Sequence, residues 1–110
     1  MSTFDEREKG FEAKYKHDQE ILFKVTARRN KLLGLWVAEQ LGLSGADAEI
    51  YAKSVVTADL ERPGDDDVVQ KVMTDLSAKG AQVSEHALRK RLADFAQIAR
   101  QQIAEVGKAE

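Results

Sequence analysis

The chain has 110 residues, with a single proline and no cysteine. This length suits one hydrophobic core and is too short for two independent ones. Without cysteine, the sequence excludes disulfides, thiolate nucleophiles and cysteine-ligated metal sites. Lys and Arg number 17 against 19 Asp and Glu, a net charge of -2 at pH 7, so general electrostatic binding to nucleic acid or an anionic membrane is not expected.

The first apolar pattern is long and predicts a helix over about residues 3–41. Gly42 follows its last apolar positions, as glycine commonly does where a helix ends. The apolar residues recur at steps of three, four and seven and are Leu22, Val25, Leu32, Leu33 and Trp36.

Three further amphipathic patterns follow, separated by short turns. Ser44 and Asp47 form a capping pair for the second helix, and residues 62–64 close it. The third helix begins at the acidic residues 65–67, where the helix dipole favours negative charge, and ends at Gly80. Ser84 caps the fourth helix. The predicted buried faces comprise Ala48, Tyr51, Ala52 and Val55, then Val68, Val69, Val72, Met73 and Leu76, then Leu88, Leu92, Phe95, Ala99, Ile103 and Val106.

Four such helices joined by short loops predict an all-α, compact four-helix bundle over residues 20–110. Residues 1–19, within MSTFDEREKGFEAKYKHDQE, do not fit this bundle because the first helix would be nearly twice as long as the others. Their apolar content is sparse, with Phe4, Phe11 and Tyr15 at helical spacing. Gly10 further weakens the helix.

The charges of this first stretch are ordered, with an acid four residues before a base at three places. Such pairs support a helix, and they are Asp5 with Lys9, Glu12 with Lys16, and Glu20 with Lys24. The stretch therefore favours helix without being able to sustain it alone. Two interpretations remain open: a segment that binds a groove on a larger partner through its aromatic rings, or a first helix that packs lightly on its own bundle or stays solvated.

Motifs for catalysis and for ligands are absent from the sequence. It contains no glycine-rich phosphate loop and no recognisable set of nucleophile, base and orienting group, so an enzyme is not expected. His17 and His86 lack partners at metal-ligand spacing, and no cofactor is predicted.

Two basic clusters offer an alternative function, a small helical module that binds protein or nucleic acid. They consist of Arg28, Arg29 and Lys31 in the first helix, and Arg89, Lys90 and Arg91 in the fourth. Their neighbours favour a solvated helix face or ion pairs within the bundle. Arg29 interrupts the apolar stripe and is expected to reach solvent or to pair with a carboxylate.

A family resemblance covers essentially the whole chain. FDEREKGFEAKYKHDQE, AEIYAKSVVTADLERPGDDDVVQKV and, most specifically, ARRNKLLGLWVAEQLG at residues 27–42 resemble the zeta subunit of alphaproteobacterial F-type ATP synthases. The resemblance implies an inhibitor of ATP hydrolysis. Its mobile N-terminal segment would insert as a helix at a catalytic interface between the alpha and beta subunits and block rotation of the gamma subunit.

The resemblance also implies where this chain would bind and reside. The inhibitory segment would be residues 1–19, and the partner would be the catalytic head of the synthase, with no nucleic acid involved. The expected location is the cytoplasm, at the inner face of the membrane through the synthase. The expected contact residues are Phe4, Phe11 and Tyr15 as apolar anchors and Asp5, Glu6, Arg7, Glu8, Lys9, Glu12, Lys14 and Lys16 as complementary charges.

Overall fold

Four α-helices account for most of the part of the chain that the computed structural model describes. This part comprises the backbone of residues 3–109 and the side chains of residue 14 and residues 16–106. The helices are α1 Thr3–Gln40, α2 Gly45–Glu61, α3 Asp65–Ala78 and α4 Glu85–Ala109. No strand occurs within these limits, and the predicted all-α four-helix class is confirmed.

Two glycines end α1 and α3 where the sequence predicts. Gly42 and Gly80 have φ angles of 79° and 72°, a left-handed conformation that costs glycine little. The backbone N–H of the residue after each glycine donates a hydrogen bond to a carbonyl of the last helical turn. These bonds run from Leu43 to Ala38 at 2.9 Å and from Ala81 to Leu76 at 3.0 Å. Both ends are therefore Schellman motifs, which satisfy the last helical carbonyls.

The two predicted serine caps behave differently. The Ala87 backbone N–H donates to Ser84 Oγ at 3.1 Å, so the cap of α4 is confirmed. Ser44 is the N-cap residue of α2, but its side chain makes no capping hydrogen bond, so the predicted capping pair with Asp47 is wrong. Gly45 has a φ of 57°, which turns the chain away from helical geometry and misaligns the Ser44 hydroxyl with the first turn.

The hydrophobic core joins all four helices. α1 packs mainly against α2 and α4, and α3 closes the structure against α2. The fully or almost fully buried residues of the core are Leu33, Val37, Val55, Val68, Val69, Val72, Leu76, Leu88 and Leu92.

Two residues of the apolar patterns that predict the helices are exposed. Leu22 is 57% exposed and Val106 is 51% exposed. Leu22 lies eight residues before Asn30, which meets Asp59 near the end of α2. Val106 lies three residues before the end of α4. Both continue the apolar pattern of their helix beyond the part that neighbouring helices cover.

The closest approach between helices lies where α1 crosses α2. A Cβ atom placed on Gly34 would lie 2.6 Å from Ala52 Cα and 3.0 Å from Ala52 Cβ. Ala52 is itself fully buried. The two backbones can approach this closely only because position 34 has no side chain.

We expect Gly34→Ala to lower the free energy of unfolding by about 1–3 kcal/mol, because the new methyl group overpacks the α1–α2 crossing. Urea denaturation followed by circular dichroism measures the change. Gln40→Ala, at an exposed position of the same helix, is the matched control and should change stability by less than about 0.5 kcal/mol. An unchanged midpoint for Gly34→Ala would contradict the close crossing.

Candidate partner-binding surface on α1

The first part of α1 has no buried side chain among those described. Lys14 and all of residues 16–24 are exposed, and Val25, at 8% exposure, is the first buried residue among those whose side chains are described. α1 begins at Thr3, so 22 of its residues precede Val25, a length of about 33 Å at 1.5 Å per residue. The molecule measures 65 × 28 × 22 Å, and this helix accounts for its elongation.

The expected contact residues all belong to the backbone of α1, and the side chains of two of them are described. Lys14 and Lys16 are exposed. The side chains of the other members lie outside the described residues: Phe4, Asp5, Glu6, Arg7, Glu8, Lys9, Phe11, Glu12 and Tyr15.

The predicted ion pairs along this stretch have different outcomes. Glu20 and Lys24 are both exposed, and no ion pair joins them within the described part of the chain. The pairs of Asp5 with Lys9 and Glu12 with Lys16 lie outside the described side chains. The exposed charges at residues 16–24 therefore remain solvated, and their surface carries both signs.

A buried amide fixes α1 where the helix enters the bundle. Asn30 is only 1% exposed, and its Nδ2 donates to Asp59 Oδ2 at 3.0 Å. Asp59 also accepts a 3.4 Å hydrogen bond from the Gly64 backbone N–H. The Asn30 amide thus ties α1 to the last turn of α2, and Asp59 in turn holds the α2–α3 loop.

Arg29 completes this network. Its Nε and Nη2 donate to Asn30 Oδ1 at 3.2 and 3.0 Å, and its Nη1 pairs with Asp65 Oδ1 at 2.9 Å. The prediction that Arg29 reaches a carboxylate is confirmed. Because Asp65 begins α3, the network joins three helices and satisfies both polar atoms of the buried amide.

Sequence reasoning missed Asn30. The signal available was its position three residues before Leu33 and seven before Val37, which places an amide on the buried face of α1. A polar residue on such a face must find a partner inside the protein, but the sequence does not say which one.

Several members of the two basic clusters also contact groups of the bundle itself. Lys31 Nζ lies 3.9 Å from Glu49, and Arg89 pairs with Asp66 at 2.9 Å. The hydrogen bond to Asp66 raises the pKa of Arg89 above its usual value. Arg91 stacks 5.1 Å from the centre of the Trp36 ring. The contacts of Lys31 and Arg89 are ion pairs within the bundle, as the sequence predicts.

Two other kinds of site are not seen in the described residues. No helix there is both long and apolar enough to span a membrane. No three His, Asp or Glu side chains of the same part lie close enough together to hold a metal ion.

Comparisons with known proteins agree with the sequence resemblance. The family model described as ATPase inhibitor subunit zeta matches residues 1–102. A protein whose structure was solved by NMR in solution is 46% identical, and the match covers 76% of this chain and 94% of that chain, with a TM-score of 0.67. No curated protein matches the chain significantly.

We expect Asn30→Leu to lower the free energy of unfolding by about 1–3 kcal/mol, because Asp59 and Arg29 lose their buried partner while the side-chain volume is nearly kept. Thermal and urea unfolding measure the effect. Gln101→Leu, a similar change at an exposed position of α4, should stay within about 0.5 kcal/mol of the wild type. Equal stability of the two variants would show that the network does not hold α1.

Proposed function

The chain belongs to the ATPase inhibitor subunit zeta family, and we propose that it inhibits ATP hydrolysis by an F-type ATP synthase. The proposal is that the first part of α1 inserts at a catalytic interface between the alpha and beta subunits. There it would block rotation of the gamma subunit. Residues 1–19 are the proposed inhibitory segment and residues 20–110 the bundle that carries it.

The observation that supports this mechanism best is the exposed first part of α1. About 33 Å of helix precedes Val25, the first buried residue among the side chains that the structure describes, and this length would reach into a cleft while the bundle remains outside. A helix already formed in the inhibitor also reduces the conformational entropy lost on binding.

Inhibition of this kind needs binding energy and no chemistry. A catalytic interface that must open and close during turnover is stalled by anything that fills it in one state and leaves it slowly. The protein is therefore proposed to be a regulatory subunit rather than an enzyme. This agrees with the family to which it belongs and with a sequence that lacks catalytic motifs.

The proposed contacts divide into rings and charges. Phe4, Phe11 and Tyr15 recur at steps of seven and four, so they share one side of the helix. Burying each ring would contribute about 1.5–3 kcal/mol before the costs of ordering are subtracted. The charged residues around them, including Lys14 and Lys16, would set the register against opposite charges on the partner.

The proposed location follows from the partner. Bound to the catalytic head, the protein would lie in the cytoplasm at the inner face of the membrane and reach the membrane only through the synthase. Alpha, beta and gamma subunits are its proposed neighbours there.

The proposal is tested by inhibition of ATP hydrolysis with the isolated catalytic head of the synthase from the same organism. We expect the intact protein to inhibit, and a protein that starts at Glu20 to need at least about 100-fold more for half inhibition, because the ring contacts are lost. The described side chains of the removed segment, those of Lys14 and residues 16–19, are exposed. The shortened protein should therefore keep the helical circular dichroism of residues 20–110.

A full-length variant separates rings from charges. Phe4→Gln, Phe11→Gln and Tyr15→Gln together keep every charge and the helix-forming character of the segment, and we expect this variant to be nearly as weak an inhibitor as the shortened protein. Full inhibition by the shortened protein would overturn the proposed segment. If the triple variant inhibits fully and the shortened protein does not, the charged residues rather than the rings supply the binding energy.

A further inference from the structure

Three adjacent large apolar side chains are exposed just before α1 enters the bundle, Ile21 at 38% and, more strongly, Leu22 and Phe23. Leu22 is 57% exposed and Phe23 is 56% exposed, whereas Val25, less than one helical turn later, is buried. Single exposed apolar residues are ordinary on protein surfaces. Large apolar side chains that are adjacent and exposed to solvent are instead typical of surfaces that bind other molecules.

These residues continue the two buried faces of α1. Leu22 lies three residues before Val25 and eleven before Leu33, the spacing of neighbours on one side of a helix. Phe23 lies seven residues before Asn30 and eleven before Gly34, which meet α2. The faces that pack on the bundle after Val25 are therefore still apolar before it, where the bundle leaves them exposed.

The same spacing connects Leu22 to the proposed inhibitory segment. Phe4, Phe11, Tyr15 and Leu22 follow one another at steps of seven, four and seven, so Leu22 is the next member of that row. Because α1 is a continuous helix from Thr3 to Gln40, residue 22 lies only about 11 Å along the axis from residue 15. Phe23 borders the row on the side of α2.

We propose that Leu22 and Phe23 form a second anchor, which docks on an apolar patch of the ATPase catalytic head at the mouth of the cleft that receives residues 1–19. The inference rests on the proposed function and extends its binding surface beyond residue 19. A continuous helix that enters a cleft brings its next turn to the rim of that cleft. An apolar turn at this place loses its exposure to water on binding without any change in the bundle.

Charge favours this partner over a second copy of the same chain. Glu20 and Lys24 flank the three apolar residues 21–23 and are exposed, which surrounds a small apolar centre with charges of both signs. This arrangement matches a specific interface between different proteins, in which an apolar core is surrounded by a polar rim. It is too small to hold a dimer together, because stable interfaces bury about 800 Å² on each partner.

The test uses a full-length double variant that carries both Leu22→Gln and Phe23→Gln. Its inhibition of the isolated catalytic head is compared with that of the wild type. Glutamine keeps the helix and removes the apolar surface. We expect half inhibition to require about 10-fold or more of the double variant, because part of two large side chains no longer leaves water on binding. The matched control is a second double variant, which carries Ile50→Gln and Ile98→Gln at two other exposed apolar positions, 68% and 41% exposed. This control should inhibit like the wild type.

Direct binding provides a second measurement on the same proteins. The sequence has no cysteine, so Gln101→Cys gives a single labelling site on the exposed face of α4 for fluorescence anisotropy with the catalytic head. The double variant should bind more weakly by the same factor as it inhibits, and its unfolding midpoint should not fall.

The outcomes separate this inference from the proposed function. If the wild type inhibits and the shortened protein does not, but the Leu22 and Phe23 variant matches the wild type, the second anchor is wrong and the proposed function stands. If the wild type fails to inhibit, both fall. If sedimentation shows that the wild type is a dimer and the double variant is a monomer, the patch binds a second copy of the chain. The inference is then also overturned.

Discussion

The contact of α1 with α2 is the constraint on which the rest of the structure depends. At Gly34 the backbones of the two helices approach so closely that a Cβ atom would meet Ala52 Cα at 2.6 Å. Four residues earlier the Asn30 amide donates to Asp59. The first contact fixes how near the helices lie, and the second fixes their register, since an amide buried one turn away from its carboxylate would have no partner. Apolar packing alone tolerates such shifts more easily.

α1 has two parts with different surroundings. After Val25 its apolar faces are covered by α2 and α4, and they carry the core residues Leu33 and Val37. Before Val25 the described side chains are exposed. Most of the stability of a helix in a protein comes from packing of its apolar face, so the first part draws its order from continuity with the second. A single helix therefore serves both as a core element and as a projecting arm.

The sequence predicts the local features of this fold well, because they depend on neighbouring residues. Gly42 and Gly80 end helices through their own backbone conformation, and Ser84 caps α4 within one turn. Ser44 fails as a cap because Gly45, directly after it, adopts a left-handed φ. Sequence alone allows this conformation for glycine but does not require it.

Features that depend on distant residues were not predictable in the same way. The partners of Asn30 and Gly34 are Asp59 and Ala52, 29 and 18 residues away along the chain, and a local pattern cannot identify them. Periodicity placed Leu22 on the right face of its helix but could not tell how far the neighbouring helices extend. The contact residues within residues 1–19 came from aromatic spacing and a family resemblance, and exposure of Lys14 and Lys16 is what the structure adds.

The length of the arm makes its base important for any partner it reaches. Residue 4 lies about 30 Å along the helix from residue 25, so a tilt of about 10° at the base would move the tip by about 5 Å, roughly the rise of one helical turn. A displacement of that size would place a ring in the wrong pocket or against a charge. The network of Arg29, Asn30, Asp59 and Asp65 resists such a tilt because it ties α1 to α2 and α3 at the point where the helix leaves the bundle. The bundle therefore sets the direction in which the first part of α1 projects, and the buried polar network holds that direction.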